Sequence, residues 1–381
     1  MKVLICGAAM AGLSAAYWFA RLGHDVAVVE RAPGIRRGGA PIDVRGPALD
    51  TARRMGILDR IRAEQIRPPA PYDVVGADGA VRGRFAIAWF GNESPDDVEI
   101  GRDRLGAALR DAVDSLGSRA RLVFGTEITG IVQDEDGVTV TTPASAERYD
   151  LVVGADGLHS AVRRMVFGEE ERFVRHLGLY VALVSLDPRR RWAPGMYSAP
   201  GRTAFVRDDT DRPLGMTMFR SPRLSYDVHD LAAQRDIVCD VLAGDDAWQM
   251  PRLRESLRDP DSPGFYFDSI SQTRMASWHR GRVALVGDAA HCAALLSGMG
   301  TSLAMTGARF LAEAVTRSPD DLAAALADYE ARQRPLVERA QDGVDGNSNI
   351  MVPATETDLG RRDALLRRAE AAAGAAPGGA R

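Results

Sequence analysis

Lysine is almost missing from this sequence. Of its 48 basic residues only Lys2 is a lysine, so chemistry that needs a lysine amine beside a substrate has no residue to supply it. Cysteine is also rare: Cys6, Cys239 and Cys292 are odd in number and far apart, which predicts neither a disulfide framework nor a zinc site. We therefore expect no metal, and a reducing compartment, the cytoplasm.

A large charge excess and a membrane span are missing as well. The formal net charge of −4 gives no basic surface for nucleic acid. The apolar start, residues 3–20, resembles a signal peptide, but Gly7 and Gly12 interrupt it and a second apolar run follows at 26–29. The uncharged stretch 292–308 is shorter than a typical span of about 20 residues. We expect neither a nucleic acid nor a membrane as partner.

What is present is the composition of a globular protein. The chain has 381 residues, of which 45% are hydrophobic and 26% charged, enough for two or three domains of roughly 150 residues. Residues 2–6 and 25–30 are short apolar runs that predict parallel strands, and the segment 13–22 between them predicts a helix. Such a βαβ unit indicates a doubly wound α/β sheet.

The middle of the chain has a different pattern. Between residues 172 and 273, short alternating segments are separated by proline, glycine and aspartate, which predicts an antiparallel sheet and a second domain. A buried strand is predicted again at 282–287, and helices at 299–316 and 320–342.

A degenerate dinucleotide-binding turn joins the first strand to the first helix. Gly7 permits the sharp turn and Gly12 lets the helix pack on the strand, while Ala9 replaces the glycine over which a phosphate passes. Glu30 ends the second strand 18 residues after Gly12, close to the spacing of about 20 at which a carboxylate accepts ribose hydroxyls.

Two further motifs strengthen that interpretation. They are DLVVGADGLHSAVR at 150–163 and GRVALVGDAAH at 281–291, the latter followed by SGMGTS at 297–302. With the first turn, they resemble the three fingerprints of the FAD-dependent aromatic hydroxylases. These are the single-component flavoprotein monooxygenases typified by p-hydroxybenzoate hydroxylase and the tetracycline-inactivating monooxygenases. The order and spacing match over about 340 residues, and YEARQRP at 329–335 resembles a late helix of that family.

The resemblance implies a Rossmann-like FAD-binding domain with an inserted α+β substrate domain and a C-terminal helix. The implied FAD-binding domain consists of residues 1–70, 98–171 and 276–318. The implied substrate domain consists of residues 71–97 and 172–275, and residues 319–381 form a C-terminal helical segment and tail.

The resemblance also implies a reaction. NADPH or NADH would reduce FAD, dioxygen would add to form a flavin C4a-hydroperoxide, and one oxygen atom would pass to an aromatic or polyketide-like small molecule. The nicotinamide cofactor would bind transiently, and Arg36 and Arg37 are weak candidates for its phosphates. No residue is assigned a catalytic role.

By the same resemblance, Arg102 pairs with pyrophosphate or ribityl oxygens, and Asp288 accepts hydrogen bonds from the ribityl side of FAD. The helix that opens after Gly298 stabilises the anionic reduced ring through its N-terminal amides. The residues predicted to contact FAD are Gly7, Ala9, Met10, Ala11, Gly12, Glu30, Arg31, Asp43, Arg45, Arg102, Asp156, Asp288, Gly298, Met299, Gly300, Thr301 and Ser302.

Several residues of these motifs also suit a purely structural role. Asp156 and Gly157 also suit a simple turn, Arg163 a surface position, and His291 a packing role. The middle section contains large side chains that suit either a substrate cavity or ordinary sheet packing. They are Tyr180, Trp192, Tyr197, Met216, Met218 and Tyr266.

Three positions depart from the family pattern. Leu295 stands where a proline is usual, Ser302 where asparagine is common, and Gly307 where aspartate is common. A halogenase of the same fold is excluded because it needs a lysine near the substrate and a Trp-x-Trp-x-Ile-Pro segment. An oxidase or reductase without oxygen transfer, and a regulator that binds FAD without turnover, stay open.

Overall fold

The structure, a computed structural model, describes residues 1–35, 39–66, 71–86, 94–208 and 213–375. Two large sheets of six and seven strands organise these residues, with smaller sheets of three and two strands. The strands are β1 (Lys2–Cys6), β2 (Asp25–Glu30), β3 (Ile42–Val44), β4 (Tyr72–Val75), β5 (Val81–Phe85), β6 (Val98–Ile100), β7 (Ala120–Phe124), β8 (Gly130–Gln133), β9 (Val138–Thr141), β10 (Ala146–Tyr149), β11 (Leu151–Gly154), β12 (Val174–Ser185), β13 (Gly195–Ala199), β14 (Arg202–Arg207), β15 (Leu214–Arg220), β16 (Tyr266–Thr273), β17 (His279–Arg280) and β18 (Val283–Leu285). The helices are α1 (Met10–Arg21), α2 (Pro47–Met55), α3 (Leu58–Ala63), α4 (Arg102–Asp114), α5 (Ala161–Phe167), α6 (Leu231–Val241), α7 (Met250–Arg258), α8 (Asp288–His291), α9 (Gly300–Arg317), α10 (Leu322–Asp342), α11 (Val344–Met351) and α12 (Glu356–Ala375).

The six-stranded sheet is the Rossmann-like part that the sequence predicted. Its order is β17-β18-β11-β1-β2-β7, and all neighbours except β17 and β18 run parallel. Val3, Leu4 and Ile5 of the central strand are at most 1% exposed, as expected for a strand covered on both faces. Because parallel strands end at the same edge, the turns after β1, β2, β11 and β18 meet there.

Helices α1 and α9 pack against each other beside this sheet. Helix α9 packs against both α1 and α10, and most of its side chains are buried. Buried apolar residues of β1, α1, β11, α9 and α10 form one continuous core. No helix in the described ranges has the length and hydropathy that crossing a bilayer would require.

The seven-stranded sheet contains the antiparallel strands predicted for the middle of the chain. Its order is β16-β12-β15-β14-β13-β4-β5, and only β13 and β4 are parallel neighbours. One face packs against α6 and α7 through residues such as Val238 and Leu253. The other face carries Leu179 and Met218 and packs against Val352 and Leu366 of the C-terminal region.

Some elements were not predicted from the sequence. Helix α1 begins at Met10 rather than Leu13 because the chain enters the helix directly from the glycine turn. Helix α7 was missed although Met250, Leu253 and Leu257 have helical spacing and a proline lies in its first turn. Helix α10 continues through Pro335.

We predict that Gly12→Ala destabilises the protein by about 3 kcal/mol or more, because the new Cβ would overlap a backbone atom. A Cβ placed on Gly12 would lie 1.8 Å from the carbonyl oxygen of Gly7. The free energy of unfolding in urea measures the effect. Gly360→Ala is the matched control, since Gly360 lies on exposed helix surface with no atom within 4 Å of its Cβ position. Equal stability of the two variants would contradict the close approach.

Candidate functional site

Three turns meet at the edge where β1, β11 and β18 end. A Cβ placed on Gly7 would lie 2.5 Å from the carbonyl oxygen of Ala155, and one placed on Gly287 would lie 2.8 Å from the Cβ of Ala11. Gly7 and Gly287 have φ values of +107° and +61°, which glycine adopts without steric cost. The three segments that the sequence analysis identified as fingerprints are therefore in direct contact.

The N-terminus of α1 is open to a ligand. Ala9 is its N-cap residue, and no side chain accepts a hydrogen bond from the first turn, which begins at Met10. The methyl group of Ala9 is exposed and does not fill the turn, whereas Ala11 is buried against Gly287. Free N–H groups at a helix N-terminus favour phosphate. The alanine in place of the middle glycine therefore leaves this turn able to hold a pyrophosphate.

Glu30 closes the same turn. Its Oε2 accepts a hydrogen bond from the Ala8 N–H and its Oε1 from the Ala32 N–H, both at 2.8 Å. A carboxylate has about four acceptor sites, so two remain for ribose hydroxyls. The side chain thus has a structural role that the sequence did not reveal. The adjacent Arg31 is exposed, and Arg36 and Arg37 lie outside the described residues.

The second fingerprint is held together internally. Asp156 accepts hydrogen bonds from the Ser160 hydroxyl at 2.6 Å and from the Val162 N–H at 3.0 Å, and Ser160 caps α5. Burial raises the pKa of Asp156. The carboxylate's contacts are those of a helix-capping turn at the wall of the site.

Arg163 is fully buried, at 0% exposure, so the alternative of a surface position is wrong. Its guanidinium donates to the carbonyl oxygens of Ala289 at 3.0 Å and Leu158 at 2.6 Å, and it pairs with Glu170 at 3.3 Å. Ala289 belongs to α8 in the third fingerprint. Arg163 therefore joins the second fingerprint to the third.

Arg102 and Asp288 provide the test of whether the site fits FAD. In the part of the chain that the structure describes, the Arg102 guanidinium has no hydrogen bond or ion pair, although it lies close enough to Asp288 to oppose the rise in that residue's pKa. Asp288 is exposed, yet burial among surrounding protein atoms raises the pKa of its carboxyl. The carboxyl also has a hydrogen bond with the Cys292 side chain. A free cation and a hydroxyl acceptor at the uncapped α1 edge are the groups that a flavin dinucleotide needs.

Helix α9 presents a second free N-terminus. Met299 is its N-cap residue and its side chain accepts no hydrogen bond from the first turn, which begins at Gly300. The Met299 N–H itself donates to the Ser297 hydroxyl at 3.1 Å, and residues 298–301 are half-buried. Asp43 and Arg45 approach from β3: one carboxylate oxygen and one guanidinium nitrogen each lie 3.7 Å from the Cβ position of Gly298. The two side chains also form an ion pair at 3.1 Å. Both residues, which the sequence analysis predicted to contact FAD, thus lie beside the start of α9.

Ser302 has a structural role in this arrangement. Its hydroxyl donates to the Asp43 carbonyl oxygen at 3.1 Å and accepts from the Arg45 N–H at 2.9 Å. These two bonds fasten β3 to the first turn of α9. A serine is therefore sufficient where asparagine is common in the family.

The other two departures have visible consequences. Leu295 is 48% exposed, and the residue before it, Ala294, has φ 72° and ψ 154°, a conformation that non-glycine residues rarely adopt. At Gly307, the Gln333 side-chain nitrogen lies 3.2 Å and the His291 Nε2 3.5 Å from the Cβ position. Gln333 thus occupies the space beside His291 that a larger residue at 307 would enter.

His291 packs, as its structural interpretation predicted. It is 1% exposed, its ring lies 4.7 Å from that of Trp278, and burial lowers its pKa to about 3. The imidazole is therefore neutral at physiological pH. Within the described ranges, no three His, Cys, Asp or Glu residues are grouped as a metal would require.

The middle-section side chains divide between the two faces of the seven-stranded sheet. Tyr180, Trp192 and Tyr197 pack on the face that α6 and α7 cover, away from the flavin loops. Met216 and Tyr266 pack on the opposite face with Ala294 and Leu296 of the loop before α9, and Met218 is buried there. Only the second group lies on the flavin side.

Helices α11 and α12 cover that same face and were not recognised as part of the site. Arg362 of α12 is 4% exposed and donates to the Ser198 hydroxyl at 2.6 Å. Arg220 of β15 donates to the Val352 carbonyl oxygen at 2.7 Å. An arginine within a helix of low amphipathicity gave no sequence signal for such burial.

Comparison with known proteins agrees with this geometry. The family described as FAD binding domain matches residues 1–194 and 265–344. A flavin-dependent monooxygenase of Legionella longbeachae is 34% identical over 347 residues, covering 90% of this chain and 87% of its own. The crystal structure of tetracycline destructase Tet(51) superposes with a TM-score of 0.83 at 30% identity, over 100% of this chain and 99% of that one. HpxO of Klebsiella pneumoniae, solved with FAD and uric acid, gives 0.68 at 26% identity, over 97% and 93%.

We predict that Arg163→Met lowers the free energy of unfolding by about 3 kcal/mol, since it leaves buried carbonyl oxygens and Glu170 without their cation. Urea denaturation measures the loss. Arg164→Met is the control, because the neighbouring Arg164 is exposed and should change stability by less than about 0.5 kcal/mol. Similar losses in both variants would contradict the specific role of Arg163.

Proposed function

This chain belongs to the FAD binding domain family and is a FAD-dependent monooxygenase, and on that premise we propose that it hydroxylates an aromatic or polyketide-like small molecule, with NADPH or NADH as electron donor. The observation that carries the proposal is the contact of three separate turns at one sheet edge, beside an unpartnered arginine and an exposed carboxylate.

We assign roles along the cofactor from these positions. The turn from Gly7 to Gly12 and the Arg102 guanidinium suit the pyrophosphate, and Glu30 suits the adenosine ribose. Asp288 suits the ribityl hydroxyls. Ala9, Met10 and Ala11 would contribute backbone, and Arg31 and Asp156 would border the site.

The flavin ring would lie at the start of α9. Bound FAD supplies the electron transfer and the activation of dioxygen. The amides of Gly300 and Thr301 would place the positive end of a helix dipole at the ring edge and stabilise negative charge there. Gly298 and Met299 would border the ring, since their N–H groups donate to the Leu295 carbonyl oxygen and the Ser297 hydroxyl. Arg45, held by Asp43 and by the Ser302 hydroxyl, adds a cation at the same edge.

The substrate is proposed to bind between the flavin loops and the seven-stranded sheet. Met216 and Tyr266 lie on that face of the sheet, and α11 and α12 pack against it, with α11 also in contact with the loop before α9. An apolar surface of this kind excludes water from the reacting atoms. Tetracycline and uric acid, named for two structural neighbours, are both fused-ring molecules with several oxygen atoms, which supports a ligand of similar type.

The domain division is proposed on the same basis. The FAD-binding domain would comprise residues 1–70, 98–171 and 276–318, and the substrate domain 71–97 and 172–275, with 319–381 as the C-terminal segment. Strands β4 and β5 join the seven-stranded sheet, whereas β6 pairs with β3, which supports a boundary between them. Three unpaired cysteines suit a cytoplasmic location.

We predict that the purified protein carries FAD rather than FMN and that Arg102→Ala weakens FAD binding by roughly 10- to 100-fold, since a charge-assisted hydrogen bond contributes about 1.5–3 kcal/mol. Arg102→Lys should recover part of the loss. Flavin fluorescence during dilution measures affinity. Arg110→Ala on the same helix is the control, because Arg110 pairs with Asp114 near the surface. Unchanged affinity in Arg102→Ala would remove the proposed pyrophosphate contact.

We predict further that one oxygen atom of the product comes from dioxygen. Incubation with NADPH or NADH, a panel of phenolic and polyketide compounds and labelled dioxygen should yield a product heavier by one labelled atom. Label from water would contradict the proposal. Rapid nicotinamide and oxygen consumption without any labelled product would favour the oxidase or reductase alternative.

A further inference from the structure

A buried charged cluster lies outside the cofactor contacts, at the junction of the two large sheets. His159 follows the second turn, and its Nδ1 lies 3.0 and 3.1 Å from the two carboxylate oxygens of Glu170. Its Nε2 lies 3.2 Å from Oδ1 of Asp268. Arg163 reaches the other side of Glu170 at 3.3 Å, and the Tyr266 hydroxyl donates to Asp268 at 3.1 Å. We call these five residues the His159 cluster.

The charges of the His159 cluster balance only when the imidazole is protonated. Glu170 and Asp268 are 16% and 12% exposed at their side chains, and Arg163 is 0% exposed. Two carboxylates and one guanidinium would leave an uncompensated negative charge in a weakly hydrated site, which is costly. With two ring nitrogens facing two carboxylates, an imidazolium can donate to both.

The residues of the cluster come from segments that connect the two large sheets. His159 belongs to the turn after β11, whose first residue, Ala155, touches Gly7. Glu170 lies just before β12, where the chain enters the seven-stranded sheet. Asp268 lies on β16, the edge strand that returns the chain toward α8. Two of the chain's crossings between the sheets, the one into β12 and the one out of β16, are therefore linked through one side chain.

We propose that His159 is a positioning residue whose imidazolium, bridging Glu170 and Asp268, fixes the edge of the substrate-side sheet against the turns of the FAD-binding sheet. By holding these two crossings, it sets the distance between the flavin loops and the face that receives substrate. The bridge between Glu170 and Asp268 does not depend on which reaction the protein catalyses. Its consequence for alignment rests on the proposed function.

The electrostatic surroundings agree with a protonated imidazole. Burial by itself lowers the pKa of His159, but hydrogen bonds and attraction from Asp268 and Glu170 outweigh it and raise the pKa to about 9. The unfolded value is about 6.5. The stabilisation is therefore complete below about pH 6.5 and disappears as pH rises through about 9. Other titratable and charged groups around the cluster are Asp156, Glu171, Arg223, Tyr226, Asp288 and Cys292.

Hydrogen exchange of the FAD-loaded protein at pH 7.5 tests the bridge. His159→Gln should speed exchange about tenfold in both the 155–160 turn and β16, because both anchors are released together. His159→Arg keeps a cation and should restore part of the protection. His229→Gln is the matched control, since His229 is exposed. Faster exchange in the turn alone would overturn the proposal and leave His159 as a local turn residue.

A pH series separates the charge from simple packing. The melting temperature of the wild type should exceed that of His159→Gln at pH 7, and the difference should shrink by at least half at pH 10. The melting temperature of His159→Arg should exceed that of His159→Gln by a constant amount over this range. If the melting temperature of the wild type exceeds that of His159→Gln by the same amount at pH 7 and pH 10, the proposal of a protonated His159 is wrong. Should His159→Gln fail to fold, Asp268→Asn gives the same comparison.

The alignment consequence has its own readout. With a substrate identified, the fraction of nicotinamide oxidation recovered as product should fall in His159→Gln, be partly restored in His159→Arg, and decline in the wild type above pH 9. Unchanged recovery together with faster exchange would overturn the alignment role and retain the bridge. If no substrate is hydroxylated, the proposed function fails, while exchange and melting still decide the bridge.

Discussion

The structure depends on backbone contacts that leave no room for side chains where three turns meet. Gly12 lies against the carbonyl group of Gly7, Gly7 against Ala155, and Gly287 against Ala11. Contacts this close fix the positions of the carboxyl ends of β1, β11 and β18 relative to α1. Since Glu30, Arg102 and Asp288 project from neighbouring positions, their spacing follows from this packing. A dinucleotide would contact these separate side chains at the same time, so binding it requires that their spacing be fixed. A close-packed backbone fixes the spacing because it can hardly be compressed.

The fingerprint residues divide into those that build the site and those left free for a ligand. Asp156, Arg163 and Ser302 satisfy their hydrogen bonds within the protein, by capping α5, joining the second turn to α8, and fastening β3 to α9. Among the described residues, Arg102 instead has no hydrogen bond or ion pair, the exposed Asp288 has a hydrogen bond with the Cys292 side chain, and the N-cap side chains of α1 and α9 make no cap bond. Unpartnered groups in a folded protein are costly unless water or a ligand completes them. This distinction is physical, and a motif in the sequence does not contain it.

The sequence predicted the parts that depend on local patterns. Short apolar runs located β1 and β2 to within a residue, and the turn chemistry placed the three fingerprints at strand ends. What escaped prediction depends on contacts distant in sequence. Alternation shows that Tyr180 and Met218 point to opposite sides of a strand pair, but not which side faces the flavin. In the same way, Gln333 fills the space at Gly307 only because α10 returns beside α9, and Arg362 is buried only because α12 folds back onto the sheet.

The loop before α9 shows how the two sheets are coupled. A proline at position 295 would fix its own φ and restrict the preceding residue, so the loop would be shaped locally. Here Leu295 imposes no such restriction, and Ala294 instead adopts a left-handed φ of 72°, a conformation that costs about 1–3 kcal/mol. The strain persists because Ala294 is 4% exposed among apolar side chains of the substrate-side sheet and its carbonyl oxygen accepts two hydrogen bonds from Ser297. The packing of the seven-stranded sheet therefore shapes the loop before α9, and Ala294 is the residue through which the two are joined.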